Sequence, residues 1–146
     1  MNLMNVPMKT IKVIKNAKID IKAKDDGIRG KDYLKIENSN ITINSNGDGI
    51  KSDNSIGEVY IDSGTYDIIS GGDGIYGYQK VTVNDGFINI ISGGGSNKTI
   101  STDLSAKGLK ADDSIIVNNG NINLNCADDA INSKKVILIK NGYITI

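Results

Sequence analysis

An acidic side chain recurs in a short Asp-Gly-Ile box that is repeated along the chain. The apolar residues of the five boxes are Ile28, Ile50, Ile75, Leu109 and Ile131. The acidic residues in or beside the boxes are Asp25, Asp26, Asp48, Asp53, Asp73, Asp128 and Asp129. Carboxylates brought close together repel one another and attract a cation. Because oxygen ligands without His or Cys select calcium over zinc, these aspartates are the predicted calcium ligands.

A plainer interpretation of the same box stays open. Asp before Gly often closes a turn, and neighbouring Lys side chains can neutralise its charge. The fourth box also departs from the pattern, because Lys107 stands where the other boxes carry Asp.

The residue directly after each box forms a second row, and it is mostly cationic or aromatic. Its first four members are Arg29, Lys51, Tyr76 and Lys110. A planar ring among cations suits a sugar, since the ring stacks on a pyranose while the cations meet carboxylates. These four residues are therefore the predicted carbohydrate contacts. The alternative is a solvated surface whose charges keep the protein soluble.

Such rows require a repeating fold that places equivalent residues side by side. The spacing of the boxes indicates a fold of this kind. The apolar anchors lie 22 (28 to 50), 25 (50 to 75), 34 (75 to 109) and 22 (109 to 131) residues apart. The spacings in a second apolar set are 25 (34 to 59), 22 (59 to 81), 34 (81 to 115) and 22 (115 to 137) residues, and its members are Leu34, Val59, Val81, Ile115 and Ile137. A basic period of 22 residues explains both sets, with insertions near residues 53–57 and between Ser92 and Ser105.

The pattern within one period predicts β-strands. Short runs rich in Ile and Val alternate between apolar and polar residues, and Asn, Asp and Gly separate the runs. A repeat this short buries its apolar face only by stacking on its neighbours. We therefore predict an all-β fold, a right-handed parallel β-helix of about six coils with three short strands per coil. It is predicted to span residues 11–146 as a single domain, after an irregular segment at residues 1–10.

Composition narrows the functional classes. The chain of 146 residues has 17 basic and 17 acidic side chains, no His and one Cys. No basic patch points to nucleic acid and no segment is long enough to span a membrane. The absence of His argues against most zinc sites, haem sites and catalytic triads. A single Cys allows no internal disulfide. Cys126 falls where other coils carry Ser, so a structural role is expected.

The sequence at each end of the chain leads to a prediction. The first ten residues lack the apolar core and cleavage site of a signal peptide. The last strand, near Ile144 to Ile146, has no capping segment after it. Unpaired strand edges invite association. The sequence thus suggests a fragment of a longer protein, or end-to-end self-association through the C-terminal coil.

The boxes DDGIRG, GDGIKS, GDGIYG and DDAINS resemble those of bacterial carbohydrate-binding β-helix domains that bind cellulose and acidic sugars. The similarity covers residues 10–146. It implies a right-handed parallel β-helix related in fold to polysaccharide lyases, with bound calcium and no established lyase activity. It also implies a cellulosic or acidic polysaccharide as the partner and an extracellular or cell-surface location.

Two other functions stay open beside non-catalytic polysaccharide binding. A calcium-dependent polyuronate (pectate-type) lyase would need a lysine base, for which Lys51, Lys107 and Lys110 are the candidates. Such a base requires a pKa well below the usual value of about 10.4. The second alternative is a structural surface or adhesin segment that binds no free sugar.

Overall fold

The computed structural model describes residues 8–146, and within this range the chain forms strands and turns with no helix. The strands form three sheets in which every neighbouring pair is parallel. This architecture is the predicted parallel β-helix. The prediction for residues 1–10 lies largely outside the described range, since residues 1–7 are not part of it.

Each of the first five coils contributes one strand to each sheet, and the last coil contributes a strand to sheets A and B only. Sheet A contains β1 (Ile11–Lys15), β4 (Tyr33–Glu37), β7 (Glu58–Ile61), β10 (Lys80–Val83), β13 (Ser114–Val117) and β16 (Val136–Ile139). Sheet B contains β2 (Lys18–Ala23), β5 (Ser39–Ser45), β8 (Gly64–Ser70), β11 (Phe87–Ser92), β14 (Asn121–Cys126) and β17 (Tyr143–Thr145). Sheet C contains β3 (Ile28–Gly30), β6 (Ile50–Ser52), β9 (Ile75–Gly77), β12 (Leu109–Ala111) and β15 (Ile131–Ser133).

The register of the sheets matches the predicted rows. In sheet C, Ile50 pairs with Ile28 on one side and with Ile75 on the other. The row continues through Leu109 and Ile131. The predicted insertions are confirmed as loops, because one separates β6 from β7 and the other separates β11 from β12.

The core is a set of stacked aliphatic side chains inside the coils. Leu34, Ile50 and Ile88 represent the three sheets, and all three are fully buried. Tyr66 is the one aromatic residue of this core, and its hydroxyl donates a hydrogen bond to the Ser63 carbonyl at 2.7 Å. Aliphatic stacking thus replaces the large aromatic residues that usually fill a core of this size.

The turn between sheets A and B needs a left-handed backbone in every coil. The residues with positive φ at this turn are Asn16, Asn38, Gly64, Gly86, Gly120 and Gly142. Asn and Gly tolerate this conformation better than other residues. The predicted turn boxes are therefore confirmed, although the left-handed residue moves one position along the box after the second coil.

The terminal coils are less well covered. Ile137 and Ile139 belong to interior rows but are about half exposed, because no further coil of this chain packs on them. At the other end Lys12 occupies an interior row beside Leu34, and its ammonium donates a hydrogen bond to the Arg29 carbonyl at 2.9 Å. End-to-end self-association stays a prediction. Residues 8–146 contain no helix that could cross a membrane.

Candidate functional site

The predicted carbohydrate contacts lie side by side on the outer face of sheet C. Arg29 pairs in register with Lys51, Lys51 with Tyr76, and Tyr76 with Lys110. Their side chains point outward because their neighbours in each strand, such as Ile50 and Ser52, are buried. Adjacent members are one strand apart, about 4.8 Å. The strands of sheet C therefore hold these four residues as one row, here called the cationic row.

The aspartates of the first three boxes form a ladder beside this row. One oxygen of Asp26 accepts a hydrogen bond from the backbone N–H of Asp48 at 2.9 Å, and Asp48 accepts one from the N–H of Asp73 at 2.7 Å. Asp73 accepts one from the N–H of Lys107 at 2.9 Å. Each carboxylate thus ties its coil to the next.

The second oxygens of the same aspartates contact the cationic row. The Lys51 ammonium lies 2.8 Å from Asp48 and 3.3 Å from Asp26, so that it bridges two coils. The Lys110 ammonium lies 3.1 Å from Asp73. Arg29 pairs with Asp53 at 2.7 Å across the first insertion. The repulsion expected within the aspartate row is therefore offset by cations of the protein itself.

Burial and neighbouring charges shift the pKa values of several side chains in this cluster. Burial alone would lower the pKa of Lys51, but hydrogen bonds and charge from Asp48 and Asp26 outweigh it and raise the pKa. Burial raises the pKa of Asp48 against the opposing effect of Lys51. The pKa of Lys107 is also raised, since hydrogen bonds and charge from Asp128 and Asp129 outweigh its burial. Lys51 and Lys107 therefore hold their protons at neutral pH.

Tyr76 lies between Lys51 and Lys110 in the cationic row. The ammonium of Lys110 stands over its ring, 4.7 Å from the centroid. Burial, followed by the charge of Asp112, raises the pKa of Tyr76 to about 12, so the phenol stays neutral. The ring and the ammonium together form one composite surface, which combines a cation with an aromatic plane.

The last two boxes pair with each other. Lys107 occupies the aspartate position of the fourth box, and its ammonium contacts both Asp128 and Asp129. Asp25 is exposed and stands before the first box. The seven predicted calcium ligands are therefore not brought together as one cluster.

A titration experiment tests the Lys107–Asp128 pair. The hydrogen bond from Lys107 lowers the pKa of Asp128. Asp128 therefore stabilises the fold above the unfolded-state pKa of about 3.9, and this contribution is lost as pH falls through the lower folded-state pKa. We expect Asp128→Asn to reduce the free energy of unfolding at pH 7 by about 1 kcal/mol and to flatten its acid dependence. Urea unfolding at a series of pH values measures both.

The matched control is Asp20→Asn, because Asp20 is an exposed aspartate on sheet B that makes no ion pair in residues 8–146. It should leave the free energy of unfolding at pH 7 unchanged. An Asp128→Asn curve parallel to that of the wild type would show that the pair contributes nothing.

The carboxylate oxygens of the box aspartates can be compared with the coordination that calcium requires. Calcium takes six to eight oxygen ligands. Within residues 8–146 no group of three or more carboxylates is arranged to hold a metal ion. The oxygens of Asp26 and Asp48 are already used by backbone N–H groups and by Lys51. As arranged, the row does not fit calcium, so calcium stabilisation stays a prediction that requires Lys51 to move away.

One residue of the cluster has no counterpart in the repeat. Ser105 donates a hydrogen bond to Asp73 at 2.6 Å and accepts one from Lys110 at 3.2 Å. It belongs to the long insertion, where the 22-residue period gives no information. Only its nearness in sequence to the fourth box could have indicated a role.

Comparison with known proteins agrees with this geometry. Residues 8–146 match the family model described as carbohydrate-binding domain-containing protein. The chain belongs to this family. No match was found among curated proteins or among solved structures. The predicted assignment to a carbohydrate-binding β-helix domain is confirmed by the family match together with the parallel solenoid fold.

Proposed function

We propose that this carbohydrate-binding domain recognises acidic polysaccharides without cleaving them, through the cationic row on sheet C. The observation that supports this most directly is the register that places Arg29, Lys51, Tyr76 and Lys110 on successive strands. A polyuronate carries a carboxylate on each sugar. Groups repeated along the solenoid can therefore meet groups repeated along the polymer.

The ion pairs between the aspartates and the cationic row hold the lysine side chains in position before a ligand binds. An ammonium group has three donors. Lys51 directs donors at Asp48 and Asp26, and Lys110 directs donors at Asp73 and Ser105, so each keeps one for a ligand. Side chains already held in place lose less conformational entropy on binding. Because the charges are partly neutralised, each contact is weak and affinity has to come from several contacts at once.

The protonated lysines support a binding role over a lyase role. A lyase base has to be neutral to remove a proton from the uronate, whereas neighbouring aspartates raise the pKa of Lys51 and of Lys107. Extracellular or cell-surface location is part of the same proposal, since large polysaccharides are found there. Cell fractionation would test the location.

Binding to polygalacturonate tests the proposed face. We expect Arg29→Ala to weaken binding by about two- to fivefold, since Arg29 is an exposed cation of the row. Tyr76→Ala should weaken it as well, because the ring supplies stacking area. Raising the salt concentration should weaken binding of the wild type, because exposed charges are screened. Affinity electrophoresis in gels containing the polymer measures all three effects.

The matched control is Lys140→Ala, which removes one exposed cation from the end of sheet A. It should leave binding unchanged. Equal loss in Lys140→Ala and Arg29→Ala would show that net charge alone matters. Formation of unsaturated product, followed in the ultraviolet, would establish a lyase, and absence of binding to any polysaccharide would favour the structural alternative.

A further inference from the structure

Three Asn-Gly pairs occur in the chain, at residues 46–47, 119–120 and 141–142. This dipeptide can modify itself, because the backbone nitrogen of the glycine attacks the side-chain carbonyl carbon of the asparagine. A bond forms between that nitrogen and that carbon, and the bond from the carbon to the amide nitrogen breaks. The amide nitrogen leaves as ammonia with the proton of the glycine nitrogen, and water then opens the succinimide ring to aspartate or isoaspartate. Because the three pairs share one motif, only the structure distinguishes them.

The first pair is held by hydrogen bonds between coils. The backbone N–H of Gly47 donates a hydrogen bond to the carbonyl of Asp25 at 3.0 Å, and the Gly47 carbonyl accepts one from the N–H of Gly72 at 2.9 Å. The reaction requires the Gly47 nitrogen to give up the proton that it donates to Asp25. The hydrogen bond between the coils therefore has to break before Asn46 can be attacked.

The other two pairs lie at the left-handed turn between sheets A and B. Gly120 and Gly142 have φ angles of 127° and 116°. Within residues 8–146 neither of their N–H groups donates a hydrogen bond. The side chains of Asn119 and Asn141 also make no hydrogen bond in this range, and both residues are exposed. The attacking nitrogen and the amide are therefore both available for the reaction.

The same turn one coil earlier shows how a side chain approaches the glycine nitrogen. This turn contains Asp85 and Gly86, and Phe87, which follows them, pairs in register with Asn121. One carboxylate oxygen of Asp85 accepts a hydrogen bond from the N–H of Gly86 at 2.8 Å. The carboxyl carbon bonded to this oxygen therefore lies next to the glycine nitrogen. An asparagine with the same side-chain conformation places its amide carbon there, close to the position from which the nitrogen attacks.

We propose that Asn119 and Asn141 deamidate spontaneously in the folded protein, whereas the fold protects Asn46. Each reaction replaces a neutral amide with a carboxylate. Equivalent residues of successive coils lie about 4.8 Å apart. The products therefore extend the single charge of Asp85 into a row of three carboxylates, which repel one another. The corner between sheets A and B becomes acidic with time, and this corner contains no residue of the cationic row.

Peptide mapping by mass spectrometry tests the proposal. The folded protein is incubated at mildly alkaline pH and digested at intervals, and the amide and acid forms of each peptide are quantified. We expect Asn46 to deamidate about tenfold more slowly than Asn119 and Asn141, which is the effect of one backbone hydrogen bond that must first break. In urea, where the fold is lost, all three residues should deamidate at similar rates.

A variant and an internal control test whether the turn itself is responsible. Asp85→Asn introduces an Asn-Gly pair at the same turn, and Asp85 is exposed, so the variant should fold as the wild type does. We expect it to deamidate at position 85 at a rate similar to that of Asn119. Asn38 lies at the same turn in an earlier coil, but Ser39 follows it. The side chain of Ser39 hinders the attack, so Asn38 should stay intact.

Three results would overturn the proposal. The first is an equal rate at Asn46 and Asn119 in the folded protein, which would show that the motif alone sets the rate. The second is that Asn119 or Asn141 stays intact while the protein in urea is converted. The third is that Asp85→Asn gives no deamidation at position 85, because the turn would then not place the side chain for the reaction.

Discussion

Gly49→Ala should lower the free energy of unfolding by about 3 kcal/mol, the upper end of the range for an overpacked site. A Cβ atom at Gly49 would lie 2.5 Å from Cγ2 of Ile68 and 2.6 Å from the carbonyl oxygen of Gly74. That oxygen accepts the sheet hydrogen bond from Ile50 at 2.9 Å and cannot retreat without loss of the bond. Glycine is therefore required where one coil stacks on the next. Urea unfolding, followed by far-ultraviolet circular dichroism, measures the change.

Ala130→Gly provides the matched control at the equivalent position of the last coil. Gly27, Gly49, Gly74 and Gly108 would each place a Cβ against the next coil, whereas no coil of this chain stacks beyond Ala130. Ala130→Gly should cost at most about 1 kcal/mol, the backbone entropy of glycine. A Gly49→Ala protein as stable as the wild type would show that the coils can separate enough to admit a methyl group.

Lys51→Met should lower the free energy of unfolding by about 3 kcal/mol. Methionine keeps most of the apolar stem but removes the ammonium that contacts both Asp26 and Asp48. The side chains of those aspartates are only 6% and 13% exposed. Without the ammonium, Asp48 has no cation within 4 Å in residues 8–146 and Asp26 keeps only Arg29 at 3.9 Å, which is costly in such a site. The figure is the lower end of the range for buried pairs, because Lys51 itself is partly exposed.

The same variant tests the calcium prediction. Removal of Lys51 leaves two neighbouring carboxylates with oxygens that a cation can contact, so calcium should restore up to about 2.7 kcal/mol at one hundred times its dissociation constant. Lys135→Met is the control, because it removes the exposed partner of Asp113. This variant should lose much less stability than Lys51→Met, and calcium should not change its stability. Equal melts of Lys51→Met in calcium and in chelator would make the calcium prediction wrong.

Sequence alone determined the period of the solenoid and the membership of its rows. The anchors Ile28, Ile50 and Ile75 recur because each coil must present an apolar residue at the same place to its neighbours. In a parallel stack, equal positions in the repeat become adjacent in space. The neighbours of Lys51 in the cationic row could therefore be predicted from their positions in the repeat. The same rule placed Cys126 in the buried row of Ser92.

Tertiary structure decided which charged groups contact one another. Lys51 contacts the aspartate of its own coil and that of the preceding coil. Arg29 lies 3.9 Å from Asp26 of its own box but pairs more closely with Asp53, at 2.7 Å. A flexible side chain with several rotatable bonds can contact any of these carboxylates, so row membership does not select the partner. The position of the long insertion could not be predicted for a related reason. The repeat is interrupted there, and the backbone N–H of Ser96 donates a hydrogen bond to Asn125, a residue of a different coil.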